Sequence, residues 1–127
     1  MFRQGPVPVL VHGLLDYLVG IVLLAGPFVL DFDDDAAIAT SIAAGVLLLV
    51  LAGASDLPAA FVRSIPRALH AIFDYVLAIT ILVAPFVLGF TDDDTATAFL
   101  VAVAVVQIMQ TIATRFLRPK DQPRPTA

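Results

Sequence analysis

Hydrophobic residues fall in four long blocks separated by short polar loops, and the blocks predict membrane spans at about Pro8–Leu30, Ala36–Ala54, Pro66–Phe90 and Thr95–Leu117. Each block is near the roughly 20 residues that carry a helix across about 30 Å of hydrocarbon at 1.5 Å per residue. The pattern repeats. HGLLDYLVGIVLLAGPFVLDFDDD, from His12 to Asp35, returns 58 residues later as HAIFDYVLAITILVAPFVLGFTDD, from His70 to Asp93, with twelve of 24 positions identical. Two spans per repeat put both copies in one orientation, related by a pseudo-two-fold axis along the membrane normal. The expected fold is all-α: a four-transmembrane-helix bundle built from two parallel helical-hairpin repeats. Repeat 1 covers about 8–54 and repeat 2 about 66–117, within one membrane domain, 1–117. The polar, Pro-rich residues 118–127 are expected to form a disordered cytoplasmic tail.

Local signals refine the spans. Pro6 and Pro8 suit the start of a helix, where a missing N–H costs nothing. Pro27 and Pro85 lie near the far ends of spans 1 and 3. Each is expected to kink its helix and to free the carbonyl four residues earlier, at Leu23 and Ile81. Asp33, Asp34 or Asp35 can cap span 2. Ala37, Ser41 and Gly45 form a small-residue stripe that lets a neighbouring helix approach closely. Span 1 is not read as a cleaved signal peptide, because His12 and Asp16 interrupt it and the same stretch recurs in mid-chain.

Composition adds topology. Of 127 residues, 60% are apolar and 14% charged, too few charges for a water-facing surface. All seven basic residues, Arg3, Arg63, Arg67, Arg115, Arg118, Lys120 and Arg124, lie at the termini or in the central loop, whereas seven of eleven Asp lie in the other two loops. The positive-inside rule therefore places both termini in the cytoplasm and the acidic loops outside. The basic tail is expected to set orientation and to touch anionic lipid, not nucleic acid. Cys is absent, which removes disulfides, thiolate metal sites and iron–sulfur clusters from consideration.

The two Asp and the span 4 glutamines sit at one depth, with the two His one turn closer to the cytoplasm. His12 and Asp16 are four apart and share a helix face, as do His70 and Asp74. Asp16 precedes the outer loop by 15 residues, so it lies roughly 22 Å from that boundary, in the cytoplasmic third. Gln107 and Gln110 on span 4 fall at the same level, with Thr111 and Thr114 beside them. The 58-residue offset matches Gln107, Gln110 and Thr111 to Leu49, Ala52 and Gly53 in span 2, with no amide among them. Tyr17 and Tyr75 complete the candidate polar set, although they point about 100° away from the neighbouring Asp and suit interfacial anchoring. The preferred reading is structural, each Asp being tied by its own His and by polar neighbours. The polar residues of span 4 are read first as interhelical hydrogen bonding that holds the bundle together, worth about 0.6 kcal/mol per bond. The alternative is a polar site for protons, an ion or a small ligand, because ionisable groups at such depth default to function. Bis-His haem ligation by His12 and His70 is a more distant alternative. Asp31, Asp33, Asp35, Asp92, Asp93 and Asp94 offer carboxylates to a divalent cation on the outer side, but lack the Gly and distal Glu of a calcium loop. No nucleophile triad, phosphate loop or zinc signature is present. No enzyme activity and no cofactor is expected.

The run Gly26-Pro27-Phe28-Val29-Leu30-x-Phe32, with Ala84-Pro85-Phe86 and Leu88-Gly89-Phe90 in the second copy, resembles the SPW-repeat family of small bacterial membrane proteins. That family's motif is Ser-Pro-Trp at the outer end of a span. Here Gly-Pro-Phe and Ala-Pro-Phe stand in its place, and the resemblance covers about half the chain, in spans 1 and 3. It implies a multi-pass protein of the bacterial inner membrane and supplies no catalytic residue. The expected role is packing against itself or a membrane-protein partner within the lipid bilayer.

Overall fold

The structure, a computed structural model, describes residues 6–115, with side chains as far as Thr114. The expected tail and the first five residues lie outside the described residues. Four helices make up the bundle: α1 Val9–Val29, α2 Asp35–Ala54, α3 Arg67–Val87 and α4 Asp94–Ala113. Each is long and apolar enough to cross a membrane. Neighbours in sequence pack together, and α4 returns to α1, so α1 and α3 sit on one diagonal. The perimeter is greasy: Leu14, Leu18, Ile21, Leu47, Val50, Val76, Ile79 and Met109 are exposed. Apolar surface this continuous is stable against lipid, not water. The core beneath it is built from Leu23, Leu48, Ile81, Leu100, Phe32 and Phe90, with alanines between them.

The ends of the helices follow from local chemistry. Pro8 and Pro66 occupy the N-cap positions of α1 and α3 in extended conformation. Asp34 caps α2, its Oδ1 accepting from the N–H of Ala36 and Ala37 at 2.8 and 3.2 Å. Asp93 caps α4 through Ala96, and its second oxygen accepts from the N–H of Asp33 and Asp34 in the other acidic loop at 2.8 and 3.1 Å. Burial pushes the Asp93 carboxyl upward, but the N–H groups of Ala96, Asp34 and Asp33 outweigh it and hold the group below the ordinary carboxylate value. At the C-termini of α1 and α3 the chain turns through a left-handed residue, Asp31 (φ 53°) and Gly89 (φ 75°). The N–H groups of Phe32 and Phe90 then bond back to the carbonyls of Pro27 and Pro85 at 2.9 and 3.0 Å, which is the Schellman arrangement. Both phenylalanines turn into the core.

Both helices run on through Pro27 and Pro85 for two residues. The Leu23 carbonyl freed by Pro27 accepts the Ser41 hydroxyl at 2.6 Å. The small-residue stripe on α2 faces α1, where Gly20 and Gly45 bring the two backbones together. A Cβ on Gly45 would stand 2.8 Å from the Gly20 carbonyl oxygen.

Two features depart from the sequence reading. First, the connection before α4 is one residue longer than the one before α2, so the repeat offset is 58 on α1 and α3 but 59 on α2 and α4. The glutamines therefore correspond to Leu48 and Leu51, not Leu49 and Ala52, and Thr114 corresponds to Ser55. Second, α4 ends at Ala113 rather than about Leu117. Thr114 and Arg115 leave the helix as a two-residue strand (β2) that pairs in parallel with Val7–Pro8 (β1). An equivalent single bridge joins Ser55 to Ile65. The two pairings exchange when the repeats are exchanged, as a pseudo-two-fold requires, and each places a hydroxyl residue beside a histidine.

Candidate metal centre

His12 and Asp16 lie in the first two turns of α1, and His70 and Asp74 in the first two turns of α3. The four-residue spacing puts each pair on one face, and the diagonal placement of α1 and α3 turns both faces toward the bundle axis. All four side chains are fully buried. They form a closed ring of alternating atoms. His12 Nε2 lies 2.7 Å from Asp74 Oδ2 and 3.0 Å from Asp16 Oδ2, and His70 Nε2 lies 3.0 Å from Asp16 Oδ2 and 3.1 Å from Asp74 Oδ2. Each Asp is thus held by both histidines, not by its own alone. The imidazole rings meet edge to face, with centroids 5.6 Å apart.

The outer nitrogens fix which way each ring works. His12 Nδ1 is 2.8 Å from Thr114 Oγ1, and His70 Nδ1 is 2.6 Å from Ser55 Oγ. Both hydroxyls donate their own proton to a carbonyl one turn back, Thr114 to Gln110 and Ser55 to Leu51. A hydroxyl whose proton is committed can only accept, so each Nδ1 must carry the N–H. Each Nε2 then faces inward with a lone pair, or with one proton shared between two carboxylate oxygens.

The two-fold symmetry breaks at the second oxygens. Asp16 Oδ1 accepts from Gln107 Nε2 at 3.0 Å and from Gln110 Nε2 at 2.7 Å, and Gln110 Nε2 also donates to Gln107 Oε1 at 3.1 Å. On the other side the corresponding positions are Leu48 and Leu51. Among the described residues, Asp74 Oδ1 is accordingly buried without a hydrogen-bond partner, as is Gln110 Oε1.

The remaining candidates are placed elsewhere. The Tyr17 hydroxyl donates to the Ala59 carbonyl at 2.9 Å, and its ring packs on Phe61. Tyr75 is half-buried and makes no side-chain hydrogen bond among those described. Asp34 and Asp93 in the acidic loops serve as helix caps. Among the described residues, the group of ligand atoms close enough to share one ion is the buried ring, whose four atoms all lie within 4.8 Å of one another. Haem does not fit there, because Asp16 and Asp74 fill the gap between the histidines that a macrocycle would need. Sequence reasoning missed the part played by Ser55 and Thr114. The signal available was the extra residue between Phe90 and the second Asp run, which brings the two hydroxyl residues into register.

No curated protein and no solved structure matches this chain. The SPW repeat domain matches residues 10–114, so the resemblance read on spans 1 and 3 extends over all four helices. The motif positions 26–28 and 84–86 lie at the acidic-loop end, with Phe28 and Phe86 about two-thirds exposed, at the far end of α1 and α3 from the His-Asp ring. The chain belongs to the SPW repeat domain family.

Proposed function

We propose that this is a metal-binding membrane protein, in which His12, Asp16, His70 and Asp74 together hold one divalent first-row transition ion inside the bundle. The observation that carries the reading is the closed ring of four ligand atoms with edges of 2.7–3.1 Å. The centre of such a ring lies about 1.8–2.1 Å from its corners, depending on how far it is folded, against about 2.0–2.2 Å for zinc–nitrogen and zinc–oxygen bonds. A small outward movement therefore seats an ion.

The ring supports this in three further ways. Two imidazole nitrogens and two carboxylates suit Zn2+, Fe2+, Mn2+ or Co2+, whereas Mg2+ and Ca2+ prefer all-oxygen shells. Two carboxylates and a divalent ion sum to zero charge, which suits a group buried at membrane depth. The Nδ1–H groups and the glutamine amides orient the ligands from outside, as outer-shell partners do in metal sites. The 2.7 Å edge is a hydrogen-bond length and favours a second reading, in which protons replace the ion and the ring is a keystone locking the hairpins together. The separation of Arg and Lys from the acidic loops supports a cytoplasmic location for the ring's end of the bundle, and the apolar perimeter suits lipid or a second copy of the chain.

Metal-free protein in detergent, titrated with Zn2+, tests the reading. The expected result is one ion per chain and a higher unfolding temperature, equivalent to about 2.7 kcal/mol at a hundredfold excess over Kd. Asp16→Asn/Asp74→Asn should fold and lose both effects. No binding, or equal binding by the double variant, would leave the keystone reading.

A further inference from the structure

Resting on the metal reading, we propose that the two carboxylates divide the work: Asp16 is the anchored ligand, and Asp74 is the labile one through which the ion is taken up and released. The observation is the broken symmetry of their second oxygens. Asp16 Oδ1 is held by Gln107 and Gln110 at 3.0 and 2.7 Å. Turning that carboxylate away from the ring would break two buried bonds. Asp74 Oδ1 has no partner among the described residues, so the Asp74 carboxylate turns without giving up any of their hydrogen bonds at that oxygen.

The difference lies in four residues. Positions 107 and 110 are glutamines; their counterparts, Leu48 and Leu51, are buried and donate nothing. An ion held by Asp74 Oδ2 can also take Oδ1, and either oxygen can then leave. The shift between one- and two-oxygen binding changes no charge in the ring, and when the ion departs a proton on each Nε2 takes its place, so the buried ring stays neutral. Exchange through such a two-oxygen intermediate avoids a bare ion and an unpaired carboxylate at the same moment. Gln110 Oε1, the other buried acceptor without a partner, belongs to the same cluster and can receive a hydrogen bond from water carried by an arriving ion. Asp16 stays in place while this happens, because its two glutamine bonds do not depend on Asp74.

Release kinetics test the proposal. The full chain in detergent is loaded with Co2+, and a chelator is added while the visible absorption of the bound ion is followed. Leu51→Gln places a donor where Gln110 stands in the other repeat and should slow release about tenfold; Leu48→Gln is the second choice if the first does not fold. Gln107→Leu/Gln110→Leu frees the anchor and should speed release by about 10- to 100-fold, the range for lost outer-shell partners. Equal release rates in all variants would overturn the division of labour while leaving the metal site standing. Failure of the unmodified protein to take up Co2+ would overturn the metal site itself, and the inference with it.

Discussion

Replacing Asp16 with leucine should be the most damaging single substitution in the bundle, lowering stability by about 3–5 kcal/mol, the range for removing one member of a buried ion pair. Four groups converge on this carboxylate: the Nε2 atoms of His12 and His70 and the amides of Gln107 and Gln110. Leucine leaves all four without it, in a place where water does not reach. Asp74→Leu leaves only the two histidine nitrogens, since Asp74 Oδ1 has no donor to lose. Neutral interhelical bonds in membranes average about 0.6 kcal/mol, so the two glutamine bonds alone account for little more than 1 kcal/mol. The larger part of the loss comes from unbalancing charge in the ring. Chemical unfolding of both variants in the same detergent checks this. Asp16→Leu should fall below Asp74→Leu by about 1 kcal/mol, the worth of two interhelical hydrogen bonds. Equal losses would show that the glutamines contribute nothing.

Gly45→Leu should be the next most damaging, through a different cause. A Cβ at this position meets the Gly20 carbonyl oxygen at 2.8 Å and the side chains of Leu23 and Leu24 at 3.1 Å. Backbone cannot yield as a flexible side chain can, so α1 and α2 must separate. Separation also stretches the bond between the Ser41 hydroxyl and the Leu23 carbonyl, one turn away. Overpacking in a dense interior typically costs about 1–3 kcal/mol, and the lost bond places Gly45→Leu at the upper end. The second hairpin provides the control. Its counterparts of Gly20 and Gly45 are Ala78 and Ala104, both fully buried, so that hairpin already accommodates a methyl at each position. Ala104→Gly should therefore cost no more than about 1 kcal/mol, the helix-propensity difference. Comparable losses for Gly45→Leu and Ala104→Gly in thermal unfolding would contradict the close approach of α1 and α2.

These two results draw on parts of the molecule that were unequally legible in the sequence. The four helices, their loops and the duplication follow from hydropathy and identity, because lipid requires long apolar segments. The common depth of Asp16, Asp74 and Gln110 follows from helix rise. The partners across the ring do not. Periodicity says that His12 and Asp16 share a face, but not that α3 stands diagonally opposite, so each Asp was matched to its own His. Ser55 and Thr114 were hidden by a single offset applied through a connection that gains one residue in repeat 2. Tyr17 and Tyr75 entered the candidate set by adjacency along the chain, and the 100° step per residue turns Tyr17 out to the Ala59 carbonyl. The acidic loops carried ligand types but no convergence; Asp34 and Asp93 instead supply the acceptors that the first turns of α2 and α4 require.

The proposed metal centre is tested most directly through the histidines, because the chain has two and both belong to the ring. Protein labelled with 15N only at histidine gives a nuclear magnetic resonance spectrum of the ring alone. With one equivalent of Zn2+, both Nε2 resonances should move to the metal-bound position together. Both Nδ1 resonances should remain those of protonated nitrogens bonded to Ser55 and Thr114. A response from one histidine only, a response at Nδ1, or no change in either Nε2 would contradict the site.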